Sequence, residues 1–275
     1  MKKSIIKSEI KKVIMRNTTW IAFAIFILAY IFALYKYIQD IPVAFKDSSS
    51  LRVYSGFESF VSIISSYSSF MFLVTPLCII LIVGDSLYCD YKTGFFDLTL
   101  YRANIKDYIL GKIIGNGIAI FSSLMALHII VFIISLFAVG FRYPELNEYV
   151  GDFPEFLRGL LLKSPYLYSL LIMLIISSMG AAFSSASILM ANYFKSKISA
   201  TIVPWIVYLI VGETLYLIYN PSFIYNLSPI VMSGPFIYYP RAGAIYHFLY
   251  WIILFSFFSV WAYISTMRRF KTRSE

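Results

Sequence analysis

The sequence predicts an all-α polytopic membrane protein with six transmembrane helices and both termini on the inner side. Three observations carry that fold class. Hydrophobic residues make up 60% of the 275-residue chain and charged residues only 13%, about half the share of an ordinary soluble domain. Six apolar stretches reach the roughly 20 residues a helix needs to cross a hydrocarbon core of about 30 Å. The Lys and Arg residues divide unequally between the segments those stretches leave. Together they exclude a soluble enzyme, a disordered chain and a disulfide scaffold, because so few charges cannot cover so much apolar surface in water.

The six stretches are about 18–38, 60–84, 113–140, 166–191, 199–219 and 245–266. The first is too long for a cleaved signal, and no small-x-small site follows it. With both termini inside, sixteen of the 23 basic residues fall on the inner side and six on the outer, with Lys36 at a helix end. The net charge of +9 is therefore a topological signal. It argues against nucleic acid as a partner, since six basic residues precede Trp20 and four follow Met267. Cys78 and Cys89 are expected to be free thiols. Residues 1–275 read as one transmembrane domain, and the abundance of Ile, Lys, Phe and Tyr suggests a bacterial source.

Residues 1–17 come first. Ile6, Ile10, Val13 and Ile14 fall on one helical face and Lys and Glu on the other, which predicts an amphipathic interfacial helix on the inner leaflet. A plain basic tail is the alternative. The first inner loop, 85–112, is the longest inner segment. Leu98, Tyr101, Ile105 and Tyr108 recur at helical spacing after Gly94, so a short amphipathic helix is expected there. Segment 220–245 is apolar yet broken by Pro221, Pro229, Pro235 and Pro240. A spanning helix does not hold so many prolines, whereas irregular backbone at membrane depth survives when buried in protein. A re-entrant outer hairpin before the last span fits, with an outer loop on the headgroups as the alternative.

Polar residues within the spans are few. Glu213 is the one carboxylate well inside a span, and such an acid faces a partner or a water-filled route. His128 lies in the middle of the third span, and Ser65 and Ser69 belong to a serine-rich second span. These four are the pathway candidates, although a lone His is more often a hydrogen-bonded core residue. His128 and His247 are too far apart for metal-ligand spacing, so no metal site is expected. Span 4, with Ser177, Gly180, Ala181 and Ser184, reads as a close-packing helix.

The order of these features resembles the permease subunits of type-2 ABC exporters. The first cytoplasmic loop of that family carries an acid, a glycine about four residues on, an amphipathic stretch, a basic residue and a Lys entering the third span. Here those positions are Asp90, Gly94, Arg102 and Lys112, with Asn226-Leu227-Ser228-Pro229 before the last span. This chain has Asp90 where members often have Glu, and Phe95 where they often have Thr. The resemblance implies a membrane pathway for ATP-driven export, with Asp90, Thr93, Gly94, Phe95, Phe96, Asp97, Arg102 and Lys106 as the coupling surface for a cytoplasmic ATP-binding subunit. It also implies a dimer with a second permease copy or homologue, residence in a bacterial plasma membrane, and an amphipathic or hydrophobic cargo such as a peptide antibiotic, a drug or a lipid-like molecule. ATP and Mg belong on the partner. This chain has no G-x-x-x-x-G-K-[ST], since Gly111-Lys112 is followed by Ile113, so no cofactor is expected on it. A non-transporting assembly or sensor subunit of the same fold is the alternative. An intramembrane hydrolase is disfavoured because Glu213 has no second acid and Ser184 and Ser185 lack a G-x-S-x-G turn.

Overall fold

Long apolar runs fold as helices in lipid because each backbone N–H and C=O must find its partner within the segment. The structure, a computed structural model, describes residues 2–44, 55–65, 70–95, 104–144, 157–194, 196–218, 227–233 and 244–274. Among them the regular structure is helical throughout. The elements are α1 (Lys2–Met15), α2 (Asn17–Ala44), α3 (Gly56–Ser65), α4 (Met71–Val83), α5 (Ser86–Lys92), α6 (Ile105–Val139), α7 (Arg158–Lys163), α8 (Pro165–Tyr193), α9 (Lys197–Ile218), α10 (Pro229–Ser233) and α11 (Ala244–Ser274). Six segments are long and apolar enough to cross a membrane: Asn17–Gln39, Met71–Lys92, Ile105–Val139, Pro165–Tyr193, Lys197–Ile218 and Ile245–Phe270. The chain is thus a multi-pass helical membrane protein.

Several boundaries differ from the sequence reading, most of all at the second and third spans. Of the stretch read as one span at 60–84, the described residues belong to α3 and α4, and the segment long enough to cross runs from Met71 to Lys92. Helix α3 starts earlier because Ser55 and Glu58 form a capping box. The Ser55 N–H donates to Glu58 Oε2 at 3.2 Å, and the Phe57 N–H donates to Ser55 Oγ at 3.2 Å. The loop read at 85–112 is shorter than expected. Asn104, in extended conformation, accepts the Lys106 N–H on Oδ1 at 3.1 Å and starts α6 at Ile105. Ile105 and Tyr108 therefore belong to the long helix, while Leu98 and Tyr101 lie outside the described residues.

The core forms around α8, which packs on α6 and α11. Small residues let it approach: a methyl group at Gly180 would run into Leu124 and Ile120 of α6. Ser178, Ser184 and Ser185 donate to the carbonyls of Ile175, Ala181 and Ala182, so these hydroxyls are satisfied within the helix. Met125 meets Ser177, and Phe132 meets Tyr166, so α6 and α8 run antiparallel. Phe26 packs edge-on against His128, and Tyr30 hydrogen-bonds Ser135, so α2 and α6 run parallel. Both relations follow from alternate crossing of the membrane.

The reading of a re-entrant hairpin over 220–245 falls mostly outside the described residues. The described part, α10, is buried between α9 and α11. Ile230 faces Gly212, Ser228 Oγ donates to Gly212 O at 2.8 Å, and the buried Trp251 indole donates to Met232 O at 2.8 Å. These contacts supply the partners that short, proline-bounded backbone needs away from water.

Candidate functional site: a buried ion network at the basic end

A second apolar cluster gathers one end of the bundle. Leu87 of α5, Tyr108 and Ile109 of α6, Ile188 and Ala191 of α8, Ala200 of α9 and Ala262 of α11 form it. The N-terminal helix and the basic end of the last helix both lie at this end. Asn192 joins three helices: it accepts from Tyr91 OH at 3.1 Å and donates to Ser265 and Thr266 at 2.9 and 2.8 Å. Arg269 closes α8 by donating to the carbonyls of Ala191 and Asn192, where a helix C-terminus favours a cation.

Helix α1 lies across this end. Its apolar face rests on α6, because Gly111 and Gly115, four residues apart, expose bare backbone to it. A methyl at Gly111 would sit 2.7 Å from Ile5, and one at Gly115 would sit 2.8 Å from the Glu9 Cβ. The chain then turns at Arg16. The Thr19 hydroxyl donates to Val13 O at 2.5 Å, and the Thr19 N–H donates to Arg16 O at 3.1 Å, which satisfies the last carbonyls of α1 as α2 begins.

Glu9 is the only acid in α1, and it sits on the packed face at 1% exposure. Its partner is Lys112, also 1% exposed, whose Nζ donates to Glu9 Oε2 at 2.9 Å and to Asp90 Oδ2 at 2.6 Å. Lys12 serves both acids from the rim, at 2.8 Å from Glu9 Oε1 and 3.4 Å from Asp90 Oδ1. Tyr108 OH donates to Asp90 Oδ2 at 2.5 Å. Two acids and two bases thus cancel inside the protein. Burying such a set is costly unless every charge has a partner, and here each has at least two. A smaller station lies alongside. Asp85 pairs with Arg16 at 2.6 Å and with Lys197 at 2.7 Å, tying the α1–α2 elbow to the start of α9.

The coupling residues expected from sequence separate into three groups. Asp90 is buried in the ion network, so its carboxylate holds α1, α5 and α6 together from inside. Thr93, Gly94, Phe95 and Lys106 are at or near the surface. Thr93 Oγ1 donates to Cys89 O at 2.8 Å at the end of α5, and Phe95 carries Lys12 Nζ over its ring at 3.5 Å. Phe96, Asp97 and Arg102 lie outside the described residues. Gly94 has φ +69°, and nothing approaches within 4 Å of where its Cβ would stand. Gly94→Ala is expected to lower stability by about 1 kcal/mol from backbone strain alone, with Gly94→Asn milder. Thermal melts of the purified protein in detergent check this.

Three of the four pathway candidates lie on different helices, His128 on α6, Glu213 on α9 and Ser65 at the end of α3. His128 on α6 is fully buried against Phe26 of α2, with Nδ1 2.7 Å from Leu124 O. Glu213 is half-buried on α9, next to Gly212 and its contact with α10. Ser65 ends α3, with its side chain outside the described residues, and Ser69 lies outside them altogether.

Sequence reasoning missed Glu9, Lys12, Arg16, Asp85, Tyr108 and Lys197 as site residues, and used Lys112 only as part of a motif. One signal was present: Glu9 falls on the Ile6–Val13 face of an otherwise basic helix. No protein-family model matches the chain, and no curated protein is similar enough to count as a relative.

Proposed function

We propose that this chain is the permease subunit of an ABC exporter, moving an amphipathic or hydrophobic cargo with energy from a separate cytoplasmic ATPase. One observation carries the reading: the ion network locks an amphipathic helix and the 85–95 segment to the ends of three membrane helices. A force applied near Gly94 and Phe95 would pass through Lys12, Asp90 and Lys112 into α6, and through Asp85 and Lys197 into α9. That is what a protein driven from outside the membrane needs. The basic end is the cytoplasmic end in this reading, since both Lys- and Arg-rich tails lie there. The exposed apolar faces of α9 and α11 leave room for a second permease copy.

The reading is tested by purifying the tagged protein from its native membrane under mild crosslinking. A nucleotide-hydrolysing companion should copurify. Charge reversal at the exposed Lys106, or at Arg102, should cut ATP-driven transport by tenfold or more while membrane insertion is unchanged. Transport by the chain alone, or full transport by both variants, would overturn the reading. A non-transporting sensor subunit would instead bind the companion with no cargo movement at all.

A further inference from the structure

We propose that the outward face of α1 is a docking stripe for anionic phospholipid headgroups in the leaflet at the basic end of the bundle. Lys3, Lys7 and Lys11 recur every four residues, so at about 100° per residue they share one side of the helix. All three are exposed, and none forms an ion pair among the described residues. The one acid of α1, Glu9, points the other way, and its charge is taken up by Lys12 and Lys112. Nothing within the helix neutralises the stripe.

What adjoins the stripe decides its occupant. Ile14 and Met15 are 43% and 68% exposed at the end of the same helix. On α2, which follows directly in the chain, Trp20, Ile21 and Leu28 are also exposed. Cations therefore give way directly to a face that lipid chains must cover. That sequence, charge first and apolar surface next, matches a headgroup followed by its acyl chain. An acidic protein surface would satisfy the lysines but leave Ile14, Met15 and Trp20 without a match. The inference rests on the membrane-crossing helices and on α1, and it holds whether or not the protein transports anything.

The test uses the full chain in mixed micelles of phosphatidylglycerol and phosphatidylcholine, with retained lipid quantified by mass spectrometry. Wild type should retain phosphatidylglycerol several-fold over phosphatidylcholine, with the preference weakening as salt rises. The triple variant K3Q/K7Q/K11Q should bring that ratio down to about one, since each basic residue near an anionic surface contributes roughly fivefold. Lys163→Gln, exposed at the opposite end of the bundle, should leave it unchanged. A wild type without preference, or a triple variant that keeps it, would overturn the proposal. So would a triple variant that keeps its lipid but loses a bound protein, because the stripe would then be a protein dock. Should the triple variant fail to fold, Lys7→Gln and the wild-type salt titration decide: a preference that neither weakens is not electrostatic, and the proposal fails.

Discussion

Replacing Lys112 with Met is expected to destabilise the protein by about 3–5 kcal/mol, the usual cost of leaving a buried charge without its partner. The side chain is almost entirely enclosed and serves two buried acids, Glu9 and Asp90. With it gone, only Lys12 remains for both, from a position one-third exposed to solvent. The same geometry predicts a partial rescue. Glu9→Gln added to Lys112→Met leaves Asp90 facing Lys12, one charge against one. The double variant should therefore melt higher than Lys112→Met alone, although each change made separately lowers the melting point. A double-mutant cycle on detergent-purified protein reads the coupling, and simple additivity would show that the two residues do not act as a pair. Lys12→Met should cost much less than Lys112→Met, because Lys112 still reaches both acids.

The second large effect is steric. Gly115→Leu should lift α1 off α6. Even a methyl there would stand 2.8 Å from the Glu9 Cβ and 3.2 Å from Ile6 O, and the latter is backbone that cannot swing aside. Gly115→Ala is expected to cost about 1–3 kcal/mol by overpacking, and the larger side chain to break the contact. Cys89 supplies the readout. It is half-buried, with Sγ 3.6 Å from the Arg16 guanidinium of the elbow. Its labelling by a polar maleimide should accelerate in Gly115→Leu and stay slow in Gly159→Ala, where nothing stands within 4 Å of the new methyl. Unchanged labelling in both would mean that α1 does not depend on the glycine for its seat.

The membrane helices were legible in the sequence because their signal is local. A run of apolar residues long enough to cross a bilayer needs no knowledge of the rest of the fold, and the starts of α2, α8 and α9 fall within two residues of expectation. At the starts of α3 and α6 a cap decided. Ser55-Gly56-Phe57-Glu58 and Asn104 are short polar signals that start helices before the apolar run begins, and a reading by hydropathy alone passes over them. The site was less legible because its contacts are distant in sequence. Glu9 reads as a surface acid on a basic helix until Gly111 and Gly115 bring α6 against it. Lys112 reads as the edge of a span until Asp90 turns inward. Asp90 itself was found, but as a surface residue, since nothing near it in sequence indicates that Tyr108 and Lys112 will enclose it. Besides the placing of Glu9 beside Ile6 and Val13, small residues four apart on a facing helix were a hint, and it says where backbones approach without saying what approaches.

The span between Glu9 and Lys112 also bears on how the protein is made. The two residues are 103 positions apart. During synthesis the N-terminal helix emerges and meets the membrane well before either Asp90 or the glycine seat on α6 exists. It must wait, held at the surface by its lysines, until the third crossing is threaded. Only then can its acid leave water for the interior. Chains arrested before Lys112 should therefore expose the N-terminal helix to added protease, and chains arrested beyond α6 should protect it, which makes closure of this contact a late checkpoint in assembly.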